Sequence, residues 1–272
     1  VHAPMESGIT SGQTVHFPLF DTGAVIISIG EDPRGPLRMV CAHTDFPCLR
    51  IKPNPVITEH GYGKLNVEVY GGMIRNTWMD RPLSIAGAVA TRTEDPFSPS
   101  LRLVDFRRPL MIIPNLAIHM NRKVNEGIEL KPQKDLLPLF FLTDGMGARA
   151  DDEGILLDLL ADWLDVSVED ILSYELNVYP VEEGCLLGIH EEFISAPRLD
   201  NLSSVKACLD VIHGWKGHHG IRVAALFDNE EVGSRTKQGA ASAILSVILE
   251  RVYSALGFSR DEYLQAVCSG FC

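Results

Sequence analysis

Three consecutive segments near the end of the chain constrain its fold most. LSSVKACLDVIHGW (202–215) repeats apolar residues at Leu202, Val205, Leu209, Ile212 and Trp215, the spacing of a helix with one buried face. GHHG (217–220) reads as a turn, and IRVAALF (221–227) follows as an apolar run of strand length. KQGAASAILSVILERVYSAL (237–256) returns to helical spacing, with a stripe at Ala240, Ile244, Ile248 and Val252. Helix, strand, helix in that order predicts an α/β layer built on a mostly parallel sheet. Two earlier runs, AVIISIG (24–30) and LRMVCA just before His43, read as further strands of it.

That rhythm breaks in the middle. From about Asp80 to Ser195 the chain has short alternating runs, prolines and one helical segment, GILLDLLADWL (154–164). The expected organisation is an α/β domain, residues 1–84 and 193–272, interrupted by a β-rich inserted domain, residues 85–192. At 272 residues and 46% hydrophobic, the chain can bury one large core or two smaller ones.

Composition narrows the partners. A formal charge of −12 argues against nucleic acid and against an anionic membrane surface. No apolar run has the length of a membrane span or the make-up of a secretory leader. The six cysteines are scattered without a CxxC pair, which favours reduced thiols in a cytoplasmic protein over a disulfide framework.

Three polar stretches fall at strand ends or helix starts. CAHTDFP places His43 and Asp45 directly after a strand, SAPRLDNLSS places Asp200 at the mouth of a helix, and LFDNEEVGS places Glu230 and Glu231 after another strand. Taken singly, each has a bland reading: a surface histidine, a helix N-cap, a solvated acidic loop. Taken together they share one edge, because ligands of an open α/β sheet collect outside the carboxyl ends of its strands. One imidazole with several carboxylates there suits a divalent cation such as zinc. In an HxD pair, the carboxylate can also accept from the ring nitrogen that does not bind metal, which sets the tautomer.

Other motifs carry less. Gly145 to Ala150 reads G-x-G-x-x-A, but Asp144, Asp151, Asp152 and Glu153 would face the phosphate of a dinucleotide. HEEF (190–193) lacks the second histidine of a thermolysin-like helix, and no GxSxG is present for a serine hydrolase.

The strings HTDFPCLRIKPNP, YGGMIRNTWMDRPLSIAGAV, IPNLAIHMNR, SAPRLDNLSS and LFDNEEVGSRTKQGA resemble the aspartyl aminopeptidase family of co-catalytic zinc peptidases, from about residue 20 onward. The resemblance implies a lid or dimerisation role for the insertion, two bridged divalent ions (zinc, with manganese or cobalt as alternatives) and closed homo-oligomers built from dimers. It assigns His43 and Glu231 to one ion each, Asp200 to the bridge, Asp45 to orienting His43 and Glu230 to general acid/base catalysis. His119 matches a histidine that reaches a neighbouring subunit's site, and the Asp200–Asn201 peptide is expected to be cis. The implied activity is removal of N-terminal residues, acidic ones, from peptides.

Family members also continue beyond the glutamate motif, with two further ligands that have no counterpart before Cys272. The expectation is therefore a partial record of a longer enzyme, with three of five ligands and weakened metal binding in this form. The alternatives are a catalytically inactive subunit of the same fold, or a metal-dependent N-acyl amino acid deacylase.

Overall fold

In a computed structural model, residues 8–144, 154–215 and 217–272 are described. The glycine-rich pattern at 145–150 lies outside them. The chain runs through β1 (Thr14–Leu19), β2 (Gly23–Ile29), β3 (Asp32–His43), β4 (Cys48–Glu59), β5 (Tyr62–Tyr70), β6 (Pro82–Thr91), β7 (Ser100–Asp105) and β8 (Met111–Ile112). It continues through α1 (Pro132–Asp135), β9 (Leu139–Leu142), α2 (Gly154–Leu164), β10 (Ile171–Pro180), β11 (Cys185–Leu187) and β12 (Phe193–Ser195). Last come α3 (Leu199–Gly214), β13 (His219–Phe227), α4 (Ile244–Ala255) and α5 (Arg260–Ser269). No helix among the described residues is long and apolar enough to cross a membrane.

The chain divides into two compact units, Val1–Phe46 with Arg198–Cys272, and Pro47–Pro197. The first holds a four-stranded sheet in the order β1-β2-β13-β3. The expectation of a mostly parallel sheet is corrected here: β13 is parallel to β3, but β1–β2 and β2–β13 are antiparallel. Only β13 is reached through a crossover helix, α3. β1 and β2 are instead joined by a tight turn in which Phe20 and Asp21 both take positive φ, 51° and 64°, and Thr22 N–H bonds Leu19 O at 3.2 Å. Paired positive φ values match the twist of the flanking strands, and Leu19 opposite Gly23 leaves three residues in the loop. Phe-Asp is not the usual pair for such a turn, which is why sequence reasoning passed over it.

IRVAALF is apolar throughout because both faces of β13 are covered. Ile221, Val223, Ala225 and Phe227 join a core with Ile248, Leu249, Val252, Tyr253 and Tyr263 of α4 and α5. Ala224 and Leu226 join Cys208 and Ile212 of α3 on the other side. The expected helix over 237–256 begins only at Ile244, and residues 237–243 fold as turns. Ala241 N–H bonds Ser234 O at 3.0 Å, and a Cβ at Gly239 would stand 2.3 Å from that same oxygen. That close return excludes a helix there.

The second unit is a closed antiparallel barrel of six strands, in the order β10-β4-β5-β9-β8-β6, with β7 attached to β6. Closure comes from β10, which pairs with both β4 and β6. Leu49, Leu65, Leu83, Ile85, Leu176 and Val178 are fully buried, the alternate side chains that fill a small barrel. Gly87 sits where three strands meet; a Cβ there would stand 2.1 Å from Glu175 O, so only glycine permits the approach. The strands of β4 and β5 precede the expected boundary at residue 85 and belong to this barrel.

Candidate metal centre

His43 ends β3 and Phe227 ends β13, paired side by side in a parallel register. The two loops that leave these strand ends are stitched together. Thr44 N–H donates to Phe227 O at 2.8 Å, and the Thr44 hydroxyl bonds Thr22 O at 2.7 Å and Phe227 O at 3.1 Å. Beyond Phe227, Asn229 takes a left-handed conformation, φ 60° and ψ 29°, and turns the chain into a short 3-10 helix over Glu230–Val232. Asparagine tolerates that conformation better than most residues.

The turn is braced from Thr236 and Gln238, at the edge of the stretch where the expected helix does not form. The Thr236 hydroxyl donates to Asn229 Oδ1 at 2.7 Å, and Asp228 N–H bonds Gln238 O at 3.4 Å. Sequence reasoning quoted Asn229 without a role and missed Thr44, Thr236 and Gln238. The signal for Asn229 was its position before two acidic residues and a glycine, in a run that has to reverse direction.

Asp45 is the organising group. Its side chain is 7% exposed, Oδ1 accepts Glu230 N–H and Oδ2 accepts Glu231 N–H, both at 3.1 Å. Oδ1 also lies 3.2 Å from His43 Nδ1, which stands 3.0 Å from the Asp45 carbonyl oxygen. A proton on Nδ1 satisfies both contacts and leaves Nε2 with a lone pair. Nε2 faces Asp200 Oδ1 at 3.4 Å and Glu230 Oε2 at 3.8 Å. Asp200 comes from the start of α3, where Asp200 and Asn201 are non-helical and the bond between them is cis. Before it, Arg198 holds a left-handed conformation and lays its guanidinium over the Phe46 ring, 5.4 Å from the centroid.

His43, Glu230 and Glu231 each offer a ligand atom, and these atoms lie within 4.8 Å of one another. These two carboxylates, with Asp200 3.4 Å from the same imidazole, crowd one lone pair in a way that a cation relieves, so the donor set fits a divalent ion. Burial, then the Cys272 thiol beside it, pushes the Cys41 pKa up to about 12. Of the residues singled out in the sequence, His43, Asp45, Asp200, Glu230 and Glu231 are brought together. His119 lies in an exposed turn of the other compact unit.

Residues 21–271 match the profile of the aminopeptidase I zinc metalloproteases, M18. The chain belongs to the M18 family. Among relatives, "Probable M18 family aminopeptidase 2" of Clostridium acetobutylicum is 41% identical over 254 residues, 92% of this chain and 58% of that protein. In structure, a chain of the Ape4 and Nbr1 complex superposes with a TM-score of 0.89 at 30% identity, covering 97% of this chain and 54% of that one. The S. cerevisiae mApe1 dodecamer gives 0.76 at 25% identity, covering 93% and 57%. The chain therefore spans little more than half the length of these M18 proteins.

Proposed function

We propose that the protein is a metal-dependent aminopeptidase that removes N-terminal residues, acidic ones by preference, from peptides, acting with two zinc ions. The observation that carries the reading is Asp45, whose one carboxylate orients His43 and fixes the backbone of both glutamates. His43, Asp200 and Glu231 would hold the ions. A divalent cation bound there supplies a Lewis acid and brings the pKa of a water toward neutrality. Asp45 keeps the His43 lone pair aimed outward by occupying the opposite ring nitrogen. Glu230, 55% exposed, is free to accept a proton from the attacking water and return it to the departing amine.

A second assignment has its own support, since proximity groups Glu230 with His43 and Glu231 as a donor. One substitution separates the two. In the full-length protein, Glu230→Gln is expected to lower turnover on the order of a hundred- to ten-thousand-fold with zinc content unchanged. Loss of zinc by elemental analysis would make Glu230 a ligand, and wild-type turnover would end its catalytic role. Asp200→Ala should cost zinc and activity together.

The acidic preference rests on the motif resemblance and is read from the ratio of kcat/KM for aspartyl and leucyl substrates. A homo-oligomer is supported by the mApe1 neighbour, whose structure is a dodecamer. Light scattering on the full-length protein is expected to give a multiple of the protomer mass. Cleavage of N-acyl amino acids without cleavage of free-amine dipeptides would replace the whole reading with a deacylase.

A further inference from the structure

Away from the acidic edge, the same sheet carries an unpaired cluster of positive charge. The register sets Arg222 of β13 directly beside Arg38 of β3. Side chains of alternate residues share a face, and Ala224, Leu226 and Ala42 pack against α3, so both arginines stand on the face that carries α3. Neighbouring strands lie roughly 4.8 Å apart, which places two full charges side by side.

Nothing among the described residues compensates them. Neither arginine forms an ion pair or donates a hydrogen bond to a described residue, although the chain has 36 acidic residues to 24 basic ones. Arg222 Nη1 is shut off from solvent without an acceptor. Its guanidinium lies over the Trp215 ring, 5.2 Å from the centroid, which supplies no full negative charge of its own. Burial, then the Arg38 charge, pulls the Arg222 pKa down, the mark of a cation lacking a counter-charge. On its other side Arg222 is opposite Ser28, a buried hydroxyl bonded to Thr14 Oγ1 at 2.8 Å, so the row continues as neutral polar groups.

We propose that Arg38 and Arg222 form a binding site for a small tetrahedral oxyanion of the phosphoryl class, on the α3 face of the sheet and separate from the metal centre. Each guanidinium presents a planar fork of N–H donors that matches two oxygens of such an anion. Arg38 is exposed and supplies the entry side, while Arg222 is held in place by Trp215. The anion can be free phosphate or the phosphoryl group of a small molecule.

The test is calorimetric titration of the full-length protein with inorganic phosphate, with a simple phosphate monoester, and with chloride at equal ionic strength. Saturable binding of phosphate or of the monoester, absent with chloride, is expected, and the tighter of the two names the source. Arg38→Gln, at an exposed position, should weaken binding at least tenfold while the circular dichroism spectrum stays unchanged. Arg222→Gln should do the same, with partial recovery in Arg222→Lys. Binding no stronger than that of chloride would overturn the proposal. So would phosphate binding that survives Arg38→Gln and Arg222→Gln, because the anion would then sit at the metal centre.

Discussion

Asp45 shows how much one side chain can decide. Its carboxylate closes the loop after β3 onto the loop after β13 through two backbone N–H groups and meets the His43 ring as well. All three contacts need acceptor oxygens, and Asp45→Asn replaces one oxygen by a donor. One N–H of Glu230 or Glu231 then loses its acceptor, and the His43 ring loses the anion facing Nδ1. Zinc affinity, measured by competition with a chelating dye, is expected to fall about 10- to 100-fold, the usual effect of removing a ligand's supporting hydrogen bonds. Unchanged affinity would show that the His43 tautomer is set by the Asp45 carbonyl alone.

At the scale of the element, the barrel is tied across its seam by side chains as well as by pairing. Tyr179 of β10 and Asp105 of β7 flank β6, and the Tyr179 hydroxyl donates to Asp105 Oδ1. Burial pushes the Asp105 carboxyl up, but the bonds from Tyr179 and Arg107 outweigh it and hold the group below its usual 3.8. A carboxyl lowered in the folded state contributes stability that is present above its unfolded value. That contribution is lost as pH falls through the folded value. The urea midpoint should therefore drop between pH 5 and the region below about 3.8, and the drop should shrink in Tyr179→Phe, which removes the donor. An acid slope identical in the two proteins would remove Asp105 from the account.

For the whole molecule, the closed barrel predicts independence. The strands of Pro47–Pro197 pair among themselves and enclose their own buried Leu49, Leu83, Ile85, Leu176 and Val178. We propose that this unit, rather than residues 85–192, is the inserted domain, because β4 and β5 supply two of its six barrel strands. Expressed alone, residues 47–197 should unfold in a single cooperative transition and retain near-ultraviolet circular dichroism. A fragment cut at 85 should not, since it opens the barrel and exposes strand edges. A molten 47–197 fragment would place part of its stability elsewhere.

The sequence by itself determined several elements of the first unit and which five polar side chains come together. The periodicity of 202–215 and the all-apolar 221–227 were legible because burial on one helical face or on both sheet faces writes a local pattern. His43, Asp45, Asp200, Glu230 and Glu231 were legible because motif chemistry is also local. Strand direction and closure were not. An antiparallel β1–β2 hairpin turned by Phe20 and Asp21, a barrel closed by β10 against both β4 and β6, and a helix delayed to Ile244 by Ser234 all depend on contacts between distant positions. Only the tertiary structure decided those, because hydrogen-bond pairing and steric room are set by which segments meet, and no single segment carries that information.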